Sequence, residues 1–73
     1  MQQSDMIRMA NQMADFFKSY GEQEAIAGIA DHISKFWEPR MRRDFFAHMD
    51  AGGAGFSDLV KKAAADVKRP KAA

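Results

Sequence analysis

Seventy-three residues suffice for one small domain, and a domain of this size buries a modest core that leans on a staple or a partner. Cysteine is absent, which excludes disulfides and thiolate metal sites and agrees with a reducing cytoplasm. A formal net charge of +1 lacks the basic excess of a nucleic-acid binder, and no stretch approaches the roughly 20 apolar residues of a membrane span.

The charge is uneven: residues 1–37 sum to −2 and residues 38–73 to +3, a bias able to orient the chain on a partner. Six Met and six Phe stand beside a single Leu, Leu59. Met adapts to irregular surfaces and specifies a core less sharply than Leu or Ile. Met1-Gln2-Gln3-Ser4-Asp5 has neither a basic region nor an apolar run, so no signal peptide is expected.

The first predicted helix runs over about 5–20, with Ser4 or Asp5 as N-cap. At 100° per residue its apolar residues, from Met6 and Ile7 to Phe17 and Tyr20, fill one half of the wheel. Asn11 falls on the polar half. Gly21 suits a left-handed C′ position. The second helix is predicted over 22–37, with Glu22 and Glu24 at its dipole-favoured start. Its apolar arc holds Ile26, Ile29, Ala30, Ile33, Phe36 and Trp37, His32 lies at the edge, and Gly28 permits a close helix approach. Pro39 ends this helix and begins a third over 39–50, with Met41, Phe45, Phe46 and Met49 on one arc. A flexible glycine connector, residues 51–55, leads to a short helix over 58–67 capped by Ser57. Its Ala63-Ala64-Ala65 run has little to bury. Residues 68–73 read as a disordered basic tail. No segment alternates in the manner of a strand. The fold class is all-α, a single domain over 1–67 in which the first two helices form an antiparallel hairpin and the third packs across it.

Chemistry finds little purchase. His32 and His48 are the only histidines, and their carboxylate neighbours match no metal-ligand spacing. The serines read as caps or exposed positions, and a helical chain this small builds no deep pocket. Gly52-Gly53-Ala54-Gly55 precedes a helix but lacks the ending of a P-loop. What remains is contact. Lys35-Phe36-Trp37-Glu38-Pro39-Arg40-Met41-Arg42-Arg43 gathers the only Trp, one of two prolines and three arginines, the residue types that carry interface energy. The arginines oppose the dipole at the start of the third helix. Arg40 and Arg43 point away from the apolar arc, whereas Arg42 falls within it, either snorkelling along its stem or meeting a partner.

In Ile7-Arg8-Met9-Ala10-Asn11-Gln12-Met13, Asp15-Phe16-Phe17, the stretch Ala25 to Ile33, the run Lys35 to Arg43 and Phe56-Ser57-Asp58-Leu59-Val60, the chain resembles the small delta subunit of soluble, NAD-dependent, molybdenum- or tungsten-containing formate dehydrogenases. The likeness covers roughly residues 6–65, and the Trp-Glu-Pro-Arg-Met-Arg run is its most specific part. It implies a cytoplasmic, non-catalytic accessory subunit that binds the large catalytic subunit and supports its assembly, cofactor loading or stability. It also implies that bis-molybdopterin guanine dinucleotide, iron–sulfur clusters, FMN and NAD reside on other subunits. This chain has no cysteine for a cluster and no Gly-x-Gly-x-x-Gly fingerprint. The expected docking residues are Trp37, Glu38, Pro39, Arg40, Met41, Arg42, Arg43 and Phe46. Self-association as a homodimer is the competing reading, on the strength of the wide apolar arcs, and a nucleic-acid regulator is a third.

Overall fold

The computed structural model describes residues 2–68. Among them are four α-helices and no strand. Helix α1 spans Gln3–Phe17 and tightens into a 3₁₀ turn, Lys18–Tyr20. Helix α2 spans Glu22–Phe36 and α3 Pro39–Asp50, and α4 spans Asp58–Ala63 with a 3₁₀ turn, Ala64–Asp66. The tail expected from residue 68 onward falls outside the described residues except for Lys68. No described helix is long and apolar enough to cross a membrane.

Local chemistry explains most boundaries. Pro39 occupies the first turn of α3, and Glu38 before it is extended (φ −62°, ψ 155°), as a following proline requires; Trp37 is extended too (φ −81°, ψ 130°). The Ser57 side chain accepts a hydrogen bond from the Val60 amide at 3.4 Å. The start of α1 differs from expectation. Gln2 is its N-cap and makes no side-chain cap bond, so Ser4 and Asp5 lie inside the first turn, where Asp5 pairs with Arg8 at 3.2 Å. Gly21 has positive φ (97°), but its ψ of 156° is extended rather than left-handed helical.

Helix α2 is the central element and packs on both α1 and α4. Small residues let these backbones approach. Met6, Ala10 and Ala14 form the buried stripe of α1, and Ala25, Ile29, Ala30 and Ile33 that of α2. A Cβ at Gly28 would stand 2.7 Å from the Phe17 ring, so the glycine is required for this crossing. The expectation that the alanine run of α4 has little to bury is corrected. Val60, Ala63, Ala64 and Val67 are all buried, because alanine's short side chain brings α4 close to α2. Helix α3 reaches the core with long rings instead. Phe45 is fully buried and meets Trp37 edge-to-face at 5.9 Å, Phe46 at 5.3 Å and Phe56 at 5.2 Å.

The glycine connector is folded, not merely a spacer. The Asn11 amide donates to the Gly55 carbonyl at 2.8 Å, and its Oδ1 accepts from the Ser57 amide at 2.9 Å. His48 Nε2 donates to the Ala54 carbonyl at 2.6 Å, its Nδ1 meets the Gln3 amide nitrogen, and its ring packs on Phe56. One residue of α1 and one of α3 therefore brace the loop from both sides. Lys62 of α4 pairs with Glu22 at 2.8 Å, and this hydrogen bond holds the Lys62 amine above its ordinary range.

Candidate docking surface

The run from Trp37 to Arg43 is divided by the fold. Trp37 and Phe46 lie in the core, 6% and 5% exposed. Met41 is half-buried, beside Met6 and His48 in a cleft of about 380 Å³. Glu38, Pro39, Arg40 and Arg43 are exposed. Arg42 is half-buried and turned onto its own chain, donating through Nη1 to the Lys68 carbonyl at 3.2 Å and toward the Ser34 carbonyl at 3.5 Å. Ser34 Oγ accepts from the Lys68 amide at 3.0 Å. Both the amide and the carbonyl of Lys68 are thus held, beside the end of α2. Arg42 Nε is buried and has no hydrogen-bond partner among the described residues, a cost that longer contacts through Nη1 only partly offset.

Arg40 and Arg43 are in a different position. Both sit in the first turn and a half of α3, where the helix dipole disfavours cations. The ion pairs among the described residues join Arg8 to Asp5, Lys18 to Asp15, Lys35 to Asp31 and Lys62 to Glu22. Neither Arg40 nor Arg43 takes part in one.

Between α1 and α2 lies a groove of about 410 Å³ lined by Met9, Gln12, Met13, Phe16, Phe17, His32 and Trp37. In and around it are the exposed large apolar side chains of the described domain: Phe36 at 70%, Phe16 at 65%, Tyr20 at 54% and Met9 at 36%. Phe16 and Tyr20 cluster with Phe17, ring centroids 5.1–6.1 Å apart, and Phe36 packs on His32 at 5.0 Å. The exposed aromatic area is roughly 400 Å² at typical ring sizes, comparable to the largest patch on an ordinary monomer and often a functional one.

The periodicity of the sequence did not reveal this groove. Phe16, Tyr20 and Phe36 belong to apolar arcs, and an apolar arc reads as core. The available signal was excess: nine apolar residues across half of one helix exceed what a domain of this size can cover. Adjacent Phe36 and Trp37 take opposite fates because the helix ends between them. The extended backbone at Trp37 breaks the 100° step and swings its indole inward onto Phe45.

Among the described residues no group of three or more His, Cys, Asp or Glu side chains is placed to hold a metal ion. His32 and His48 are engaged with Phe36 and with the glycine connector, respectively. The geometry thus offers surfaces for contact: a groove with aromatic walls and, on α3, two exposed arginines that form no ion pair among the described residues.

No curated relative and no solved structure gives a significant match to the chain. Residues 5–64, from the first turn of α1 through the end of α4, match the profile of the NADH-dependent formate dehydrogenase delta subunit, FdsD, and the chain belongs to that family.

Proposed function

We propose that the chain is a non-catalytic accessory subunit that docks on the large, molybdopterin-containing subunit of the formate dehydrogenase in the cytoplasm and supports its assembly, cofactor loading or stability. In this reading bis-molybdopterin guanine dinucleotide, iron–sulfur clusters, FMN and NAD are carried by the other subunits. The observation that supports docking best is the pair Arg40 and Arg43. They are exposed cations at an electropositive helix end, without an ion pair among the described residues. A folded chain keeps such charges at a cost, which an acidic partner surface relieves. Within the run from Trp37 to Phe46, Glu38, Pro39, Arg40 and Arg43 supply the contact. Trp37, Met41, Arg42 and Phe46 hold the turn that presents them.

The test is expression of the enzyme complex with and without this chain. The tagged chain is expected to co-purify with the large subunit, and its omission to lower the yield or molybdenum content of that subunit. Equal yield, molybdenum content and activity in both preparations would refute the reading. Self-association is a second reading, favoured by the exposure of Phe16, Tyr20 and Phe36. A purely monomeric mass by light scattering at high concentration rules it out.

A further inference from the structure

The cleft beside Met41, unlike the aromatic groove, carries charge on its own wall. It lies between the start of α1, which contributes Met6, and α3 with its C-cap, which contribute Met41, Asp44, Ala47, His48 and Ala51. Met41 to Ala51 is about 15 Å of helix. At about 100° per residue these five residues share an arc of about 120°, and Arg40 falls inside that arc. Arg43 lies about 40° beyond its edge. The cleft therefore runs along the face of α3 that bears Arg40, with Arg43 at the rim.

Two opposite charges stand on this face. Arg40 and Asp44 are exposed, and neither forms an ion pair among the described residues. They are one turn apart, with Cβ atoms separated by about 6 Å, in the order (cation first) that pairs less well within a helix. His48 is already engaged, because its ring nitrogens meet the Gln3 amide and the Ala54 carbonyl. An occupant thus meets Arg40, Asp44 and the walls formed by Met6 and Met41.

Resting on the docking reading above, we infer that this cleft receives a segment of the partner subunit that presents a carboxylate to Arg40, a basic group to Asp44 one turn farther along α3, and an apolar side chain to Met6 and Met41. Covering the cleft takes both charges out of water, and a buried charge is tolerated only when paired. The occupant therefore needs both signs in that order. The volume of about 380 Å³ is at the low end of the ~300–1,000 Å³ of small-ligand sites, a size suited to inserted side chains.

A second copy of this chain supplies that set poorly. Across a two-fold axis the face would meet itself, and the exposed residues of α3 are Pro39, Arg40, Arg43, Asp44, Ala47 and Asp50. Arg40 and Asp44 would pair crosswise, but no large apolar side chain would reach Met6 and Met41. The exposed large apolar side chains, Met9, Phe16, Tyr20 and Phe36, belong to α1, its 3₁₀ turn and α2. A second copy could use them here only through a different face, a contact that builds rings or open chains instead of a closed pair.

Three versions of the full-length tagged chain decide the matter when co-expressed with the rest of the enzyme complex: wild type, Arg40→Asp with Asp44→Arg, and Ala47→Trp. All three positions are exposed, so each variant should keep the wild-type circular dichroism spectrum. The charge exchange leaves both signs one turn apart, in the order that suits the helix and its dipole. A purely intrachain role for these charges predicts an unchanged or higher Tm and full recovery of the large subunit. The docked segment instead predicts recovery lower by about tenfold or more at that same Tm, because like charges now face each other. Ala47→Trp plugs the cleft and should lower recovery to a similar degree, about tenfold; should it unfold the chain, the charge exchange decides alone. A photo-cross-linker at position 43, on the rim, is expected to label a segment of the partner subunit with an apolar residue between an acidic and a basic one. Undiminished recovery with either folded variant overturns this inference alone, as does a cross-link to a second copy or to a segment lacking that pattern. Failure of the wild-type chain to co-purify overturns the docking reading and this inference together.

Discussion

Replacing Phe45 by Ala tests the core on which the surface depends. The ring is fully buried and contacts Trp37, Phe46 and Phe56, so it joins the turn before α3, α3 itself and the connector to α4. Truncating a buried Phe to Ala costs about 3–5 kcal/mol, from lost transfer energy and the cavity left behind. A domain of this length is stable by roughly 4–11 kcal/mol. The substitution therefore removes about a quarter of the total or more, and only at the bottom of that range, where the loss matches the whole stability, does it leave the chain largely unfolded at 25 °C. Phe45→Leu retains most of the volume and is expected to cost about half as much or less, which provides a folded variant for measurement. Urea unfolding followed by Trp37 fluorescence is the assay. The only tryptophan is 6% exposed and packed edge-to-face on Phe45, so it reports directly on this contact. Phe36→Ala is the control, and at 70% exposure it should change stability by no more than about 0.5 kcal/mol. A loss below about 1 kcal/mol for Phe45→Ala, or equal losses at positions 36 and 45, would refute the assignment of the core.

Asn11→Ala should destabilise by about 2 kcal/mol, since it removes hydrogen bonds to the Gly55 carbonyl and the Ser57 amide. Thermal unfolding should show a Tm lower by roughly 10 °C, with faster hydrogen exchange at the Ser57 amide, and an unchanged Tm would show that the connector holds its shape without this bracket. Arg42→Met keeps the packed stem while deleting the unpaired buried Nε and two contacts of 3.2 and 3.5 Å. Its chemical-denaturation stability should stay within about 1 kcal/mol of wild type, and a loss of 3 kcal/mol or more would mean that the guanidinium anchors the chain after α4 far more firmly than these distances indicate.

Much of the architecture was legible before folding. Pro39 dictates the break between α2 and α3 because it lacks an amide proton and restricts the residue before it. The bounds of α3 and the Ser57 cap follow from equally local rules, as does Gly28 at a close crossing. The charges of Arg40 and Arg43 point outward as the wheel requires. The family, too, was recognisable from short runs of residues, the Trp-Glu-Pro-Arg-Met-Arg stretch above all. Other features depend on what lies across space. Ala63 and Ala64 have little surface of their own and become core because α2 stands against them. Asn11 looks like any polar helix residue until the connector folds over it. Arg42 sits inside an apolar arc, and only the path of the chain after α4 provides the carbonyl that its Nη1 bonds at 3.2 Å.

The contrast is sharpest at Phe36 and Trp37. Composition and periodicity, which are properties of neighbouring residues, settled the helices, their breaks and the excess of apolar surface. Which of two adjacent aromatic rings entered the core, and which was left beside a groove, depended on one backbone turning extended where a helix stops and on Phe45 arriving from the next helix to meet the indole. Burial is a relation between distant segments, so the exposed aromatic face emerged only when the tertiary fold had allotted its limited interior.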